Sequence, residues 1–355
     1  MLKSFSFIFK SILIGIVVSG VILLLVPDLR QKSSLSLAFL SQQKTTQEKI
    51  SFNHGVNAAG PAVVNIYSQS IDNTASFNRR QPEQRISLGS GVIMTESGYI
   101  LTCHHVIENA NSILVGLQDG RRVEAQIVGK DPITDLAVLS ISAENLHVIP
   151  QNIESDTRVG DVVLAIGNPY NLGQTITQGI VSRFSQNALA TYFDYIQTDA
   201  VLNEGNSGGA LVDSNGTLVG INNANFKTVD SRRRIKEVDG VSFAIPYGLA
   251  KKVMDEIIAT GKVTRGAVGF VGAEQSPLSN GIVVTGLVQG GPAEISGLHV
   301  NDIVVAVDGI AADDMRKTLQ YITETAPGKK IELEVNRNNK LLKIQVVVAE
   351  LNSGT

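Results

Sequence analysis

Apolar residues are distributed along this chain in distinct ways. From Ser11 to Pro27 they form one run of 17 residues without a charge, which Phe5 to Phe9 extend beyond Lys10. At about 1.5 Å per residue the run falls slightly short of a ~30 Å hydrocarbon core, and snorkelling by Lys10 covers the difference. No small-x-small cleavage site follows in Val26-Pro27-Asp28-Leu29-Arg30, so the run is read as an uncleaved anchor, not a signal peptide. The α-amine, Lys3 and Lys10 precede it, while Asp28, Arg30 and Lys32 nearly cancel after it; the expected orientation keeps the amino end inside and exports the rest. Residues 31–54 carry no sustained period and are rich in Ser, Gln, Thr and Lys, as in a tether.

Beyond Pro61 the pattern becomes short apolar runs divided by turn signals. Val63-Val64-Asn65-Ile66, Gly91-Val92-Ile93-Met94, Ile113-Leu114-Val115, Leu136 to Leu139 and Val162 to Ile166 predict strands, with turns at Glu96-Ser97-Gly98, Gln118-Asp119-Gly120 and Ser214-Asn215-Gly216. No amphipathic helix interrupts them before Pro246, which favours antiparallel barrels over a parallel α/β sheet. Leu249, Ala250, Val253, Met254, Ile257 and Ile258 then share one helical face, and Gly261 ends it. The remaining stretch to Glu350, about 90 residues, is long enough for one small domain. In it Met315, Leu319 and Ile322 form a helical stripe, Ile331, Leu333 and Val335 alternate as in a strand, and Asn338-Asn339 closes a hairpin.

Composition narrows the function. With 30 Lys+Arg against 33 Asp+Glu, the net charge of −3 offers no basic field for nucleic acid. The single cysteine, Cys103, excludes an internal disulfide and a Cys-only zinc cage. His54, His147 and His299 lack ligand spacing, and no HExxH pair, P-loop or EF-hand loop is present, so neither metal nor nucleotide cofactor is expected.

Candidate chemistry lies in three separate strings. Asn203 to Leu211 reads N-E-G-N-S-G-G-A-L, where glycines around Ser207 permit close approach of a substrate backbone and let the amides of Gly205 and Ser207 converge on a developing oxyanion. Gly98 to Val106 reads G-Y-I-L-T-C-H-H-V, a strand running into two histidines, and Asp135 opens the apolar run Leu136 to Leu139. The chain order His, Asp, Ser is that of the double-barrel proteases. Alternation along an extended segment is expected to turn His104 away from the side that His105 uses. Cys103 reads as a buried small residue, because no cysteine-protease loop surrounds it.

These strings, with Ala62-Val63-Val64-Asn65, Gly89-Ser90-Gly91-Val92-Ile93, Gly160 to Tyr170 and Gln197-Thr198-Asp199-Ala200, resemble the HtrA (Deg) family of trypsin-fold serine proteases, and in particular a membrane-anchored bacterial member. The resemblance implies an all-β double barrel with a C-terminal α+β PDZ domain, usually in a homotrimer. It divides the chain into a cytoplasmic N-terminus (1–10), a transmembrane helix (11–27), a periplasmic linker (28–57), a protease domain (58–260) and a PDZ domain (262–350). By the same likeness Ser207 is the nucleophile, His105 the base, Asp135 its orienting carboxylate, and Gly205 and Ser207 supply the oxyanion hole.

Other features follow from the likeness or depart from it. Arg265-Gly266-Ala267-Val268-Gly269-Phe270 resembles a carboxylate-binding loop, so Ala267, Val268, Gly269, Phe270 and Val271 are expected to take a peptide C-terminus by strand addition. Asn206 stands where secreted relatives of the fold carry an aspartate, which argues against zymogen cleavage and for another switch. That switch is assigned to residues 183–194, with Tyr170 and Gln197 as candidate relays. Glu204 brings a carboxylate beside the oxyanion hole, and Arg232-Arg233-Arg234 reads as a solvated loop. The expected function is an inner-membrane protease facing the periplasm, which senses C-termini of misfolded outer-membrane proteins and cleaves an anti-sigma factor. A broad periplasmic quality-control protease and a PDZ scaffold with an idle protease site are the alternatives.

Overall fold

The structure is a computed structural model that describes residues 2–25, 51–72, 83–154, 156–168, 173–185, 193–229, 235–274 and 281–351. Most of the 28–57 linker, Tyr170, residues 186–192 and Arg232-Arg233-Arg234 lie outside these. The chain divides into two units, Met1–Ser51 and Phe52–Thr355. In the first, helix α1 runs over Leu2–Leu25, and its Phe5–Ile22 window, with a mean hydropathy of 2.2, is long and apolar enough to cross a membrane. It begins well before the expected Ser11, because Lys3 and Lys10 do not break helical pairing.

The second unit opens with a short helix, α2 (Asn53–Ala59), and continues into two closed six-strand barrels. The first comprises β1 (Val63–Asp72), β2 (Glu83–Ile93), β3 (Tyr99–Cys103), β4 (Ser112–Gly116), β5 (Arg122–Asp131) and β6 (Leu136–Ile141), in the order β1-β2-β3-β6-β5-β4. The second comprises β7 (Val162–Gly167), β8 (Thr175–Ser185), β9 (Tyr195–Thr198), β10 (Ala210–Asp213), β11 (Leu218–Val229) and β12 (Ile235–Pro246), in the order β10-β11-β12-β9-β8-β7. Every pairing is antiparallel, as the missing helical crossovers predict.

Continuous apolar runs in the second barrel have a structural cause. Val163 and Ala165 of β7 face that barrel's own core with Leu211 and Ala244, whereas their neighbours Leu164 and Ile166 join the cluster built on the first barrel. Strands β10, β11 and β12 divide the same way, with Ala210, Val212, Leu218, Ile221 and Ile245 in the larger cluster. A strand buried on both faces loses the usual apolar-polar alternation. Each fully buried Leu or Ile contributes about 1.5–3 kcal/mol. The larger cluster also takes in helix α4 (Tyr247–Thr260) through Ala250, Val253, Met254 and Ile257, and Gly261 caps that helix at φ 81°.

The last domain is smaller and has its own core, including Val284, Val304, Leu333, Val335 and Val346. Its main sheet has the path β14 (Phe270–Glu274), β15 (Ile282–Leu287), β16 (Ile303–Val307), β18 (Lys330–Arg337) and β19 (Lys340–Val347). The short strand β17 (Ile310–Ala311) pairs with β16, and β13 (Gly266–Ala267) with β20 (Ala349–Glu350). Asn338 and Asn339 both adopt positive φ, 52° and 63°, as a two-residue hairpin between β18 and β19 demands. Two helices complete the domain, α5 (Pro292–Ile295) and α6 (Met315–Glu324). Asp314 caps α6, its carboxylate accepting from the Lys317 amide at 3.1 Å.

Candidate active site

The histidines do not continue the strand that delivers them. After Cys103 the chain turns into a four-residue helix, α3 (His104–Ile107), so helical rotation and not strand alternation separates the two rings. His105 is exposed, whereas the Nε2 atom of His104 is buried without a hydrogen-bond partner. Asp135 lies between β5 and β6 with φ 57°, a conformation that non-glycine residues seldom hold. Three donors fix its carboxylate: the His105 amide to Oδ1 at 2.9 Å, the His105 ring Nδ1 to Oδ2 at 2.6 Å, and Asn223 Nδ2 to Oδ2 at 2.8 Å.

Asn223 was not foreseen in the sequence, and it joins the two barrels' contributions. While its side chain donates to Asp135, its carbonyl oxygen accepts the Ser207 hydroxyl at 2.5 Å. Ser207 therefore lies one residue's span from the histidine-aspartate pair, with its hydroxyl on Asn223; no hydrogen bond joins it to His105. The surrounding loop is tightly built. Gly205 holds φ 100°, and Gly208 holds φ 83° with no room for a Cβ, which would sit 2.2 Å from the Ser90 carbonyl oxygen. Among the described residues the amides of Gly205 and Ser207 have no intramolecular acceptor, whereas the Gly208 amide donates to Asn222 and the Gly209 amide to Asn206. Glu204 is exposed.

Cys103 is fully buried and its thiol donates to the Asn222 carbonyl at 3.3 Å. Burial first, and then the charge of Asp135, push the thiol well above its usual range, so it stays protonated. Donor atoms of Cys103, His105 and Asp135 gather within 4.8 Å, a set with the chemistry of a soft-metal site. The nitrogen and carboxylate oxygen already satisfy one another there, and the sulfur keeps its proton.

Of the residues expected at the peptide loop, Ala267 ends β13, Val268 is buried, Gly269 holds φ 79°, and Phe270 and Val271 open β14, the first strand on the sheet path. The carbonyls of Val268 and Gly269 accept from Ala293 (2.7 Å) and Val288 (2.9 Å), while their amides have no acceptor among the described residues. Gln197 is half-buried on β9 with no hydrogen bond to the His105, Asp135 and Ser207 cluster.

Charged pairs link this domain to the barrels, and no local pattern along the chain announces them. Arg265 donates two hydrogen bonds to Asp131, at 2.7 and 2.6 Å, with side chains only 13% and 3% exposed. The Thr134 hydroxyl, next to Asp135, bonds the same carboxylate. Arg316 on α6 pairs with Asp194, at the end of the 183–194 segment, and Lys252 on α4 donates to Glu324 at 2.9 Å.

Comparison with known proteins agrees with this architecture. A trypsin-like peptidase domain matches residues 89–221, and a PDZ domain matches residues 269–348. The serine endoprotease DegS of Escherichia coli (strain K12) is 45% identical, over 96% of this chain and 97% of its own. Among solved structures, the serine endoprotease from Yersinia pestis superposes with a TM-score of 0.70 at 44% identity, covering 85% of this chain and 99% of that one. The HtrA-type protease AlgW with tripeptide gives 0.76 at 41% identity, covering 85% and 98%.

Proposed function

This chain belongs to the HtrA family of serine endoproteases, with DegS-type likeness over nearly its whole length, and we propose that it is a peptide-gated endopeptidase whose hydrolysis is carried by Ser207, His105 and Asp135. The observation that carries this reading is Asn223, whose side chain holds Asp135 while its carbonyl holds Ser207. Turning the Ser207 hydroxyl from Asn223 towards His105 makes it a nucleophile. His105 takes the hydroxyl proton as Ser207 attacks the scissile carbonyl, and Asp135 stabilises the resulting imidazolium through Nδ1. The amides of Gly205 and Ser207 receive the oxyanion. His105 then protonates the leaving amine, and water attacks the acyl-enzyme by the same route in reverse.

Gating resides in the charged seam. A peptide adding beside β14, with its carboxylate on the Val268 and Gly269 amides, lies against α6 and so acts on Arg316 and its Asp194 partner. Arg265 acts on Asp131 and through Thr134 on the segment that carries Asp135. Relatives solved with a tripeptide and a decapeptide support a peptide ligand. The activating ligands of this reading are C-termini of misfolded outer-membrane proteins, the substrate is an anti-sigma factor, and the enzyme is a homotrimer. Helix α1 anchors it as a single span in the inner membrane, with both domains in the periplasm.

The test uses the full-length chain in detergent with a periplasmic anti-sigma-factor fragment, with and without a peptide ending in an aromatic carboxyl terminus. Cleavage only with peptide is expected. Cleavage regardless of peptide would overturn the gate and favour constitutive quality control.

A further inference from the structure

The loop that carries Gly205 and Ser207 is fastened to the first barrel by one side chain. Ser90, on β2, is fully buried. Its hydroxyl donates to the Gly205 carbonyl oxygen at 2.7 Å and accepts from the Asn168 amide, at the end of β7, at 3.0 Å. The same residue's amide donates to the Ser207 carbonyl at 2.9 Å, and its own carbonyl accepts the Thr102 hydroxyl at 2.8 Å. Ser90 thus engages the carbonyls of both residues whose amides are assigned above to the oxyanion.

Those contacts matter because glycine lets this peptide turn more readily than any other residue would. Gly205, at φ 100°, has no side chain to resist rotation, and the Gly205-Asn206 peptide can reverse at small steric cost. Such a reversal would break the bond from Ser90 and the bond from the Asn206 amide to the Asn203 carbonyl, and leave the buried Gly205 carbonyl without a partner. Gly208 lets the loop lie flush on the Ser90 backbone, so the clamp closes without an intervening side chain.

We propose that the Ser90 hydroxyl is a positioning residue for the hydrolysis: it fixes the Gly205-Asn206 peptide, which lies between the two peptide groups that carry the Gly205 and Ser207 amides, and thereby keeps those two amides convergent on the developing oxyanion. The proposal rests on Ser207 as nucleophile, and the experiment separates the two. Full-length wild type, Ser90→Ala and Ser90→Thr are titrated in detergent with a fluorophosphonate in the presence of activating peptide, with Ser207→Ala as blank. Turnover with activating peptide is then measured per labelled site, and peptide affinity by fluorescence anisotropy.

Ser90→Ala should lower kcat roughly 10-fold or more with KM unchanged, as for loss of transition-state stabilisation alone. Peptide affinity should stay at the wild-type value, and Ser90→Thr, which returns the hydroxyl, should keep kcat within about threefold. A wild-type kcat per labelled site in Ser90→Ala would overturn the proposal, and so would a Ser90→Thr enzyme as slow as the alanine variant. If wild type took no label at Ser207, the nucleophile assignment itself would fall, and the role of Ser90 with it.

Discussion

The two seams of this molecule are built from opposite materials. Where barrel meets barrel, the contacts include apolar side chains and short hydrogen bonds to backbone, such as Ser90 to Gly205 and to Ser207. Where the barrels meet the PDZ domain, the described contacts include ion pairs: Arg265 with Asp131, Arg316 with Asp194, Lys252 with Glu324. Apolar packing and main-chain bonds have no cheap alternative partner, whereas a charge released from its pair can be solvated. The first seam is suited to holding reacting groups fixed, the second to being opened.

The largest effect should come from the fixed seam. Ser207→Ala should lower turnover by on the order of 10⁴-fold or more, leaving peptide affinity at the PDZ domain unchanged; parallel loss of affinity would show that the two regions are not separable. Next is the buried pair of the ionic seam. Arg265→Ala strands the Asp131 carboxylate and should cost about 3–5 kcal/mol of stability, while peptide-free cleavage rises. Removing both partners should recover much of the stability in urea melts, and a double variant no better than the single would count against a buried-charge penalty.

Arg316→Ala probes a half-exposed pair. Its loss should be worth about 1 kcal/mol or less, read as a rise of up to roughly fivefold in basal rate without a shift in melting temperature. Unchanged basal cleavage would remove α6 from the gate. The smallest effect concerns an ion pair inside the PDZ domain. Burial pushes the Asp302 carboxyl up, but the Arg337 guanidinium and the His299 amide outweigh it and hold its pKa below the ordinary value. A depressed carboxylate contributes stability in full above its unfolded pKa of about 3.9 and loses it as pH falls through the lower native value. Acid unfolding of the PDZ domain should therefore begin at higher pH in Arg337→Gln than in wild type, as followed by circular dichroism.

The two seams also differ in how far they were legible. Runs such as Leu136 to Leu139 and Val162 to Ile166 announced strands, and the paired asparagines at 338 and 339 a hairpin, because those patterns follow from local sterics and burial. His105, Asp135 and Ser207 stood out through their neighbours in the chain. Asn223 did not: its side-chain and main-chain contacts reach residues 88 and 16 positions away. Arg265 and Asp131 are separated by 134 positions, and no local rule pairs one arginine with one aspartate over that span. Alternation misjudged the geometry at His104, since a single helical turn replaces the strand there.

The division of the second barrel's strands between two cores has a consequence during synthesis. Leu164, Ile166, Val212 and Ile245 find their apolar partners in a cluster that begins with residues of the first barrel. A ribosome delivers that first barrel with His105 and Asp135 already in it, yet Ser207 and Asn223 only later. A nascent chain that ends before Ser207 holds no complete set of reacting groups, so the first barrel alone, still in transit, lacks the nucleophile.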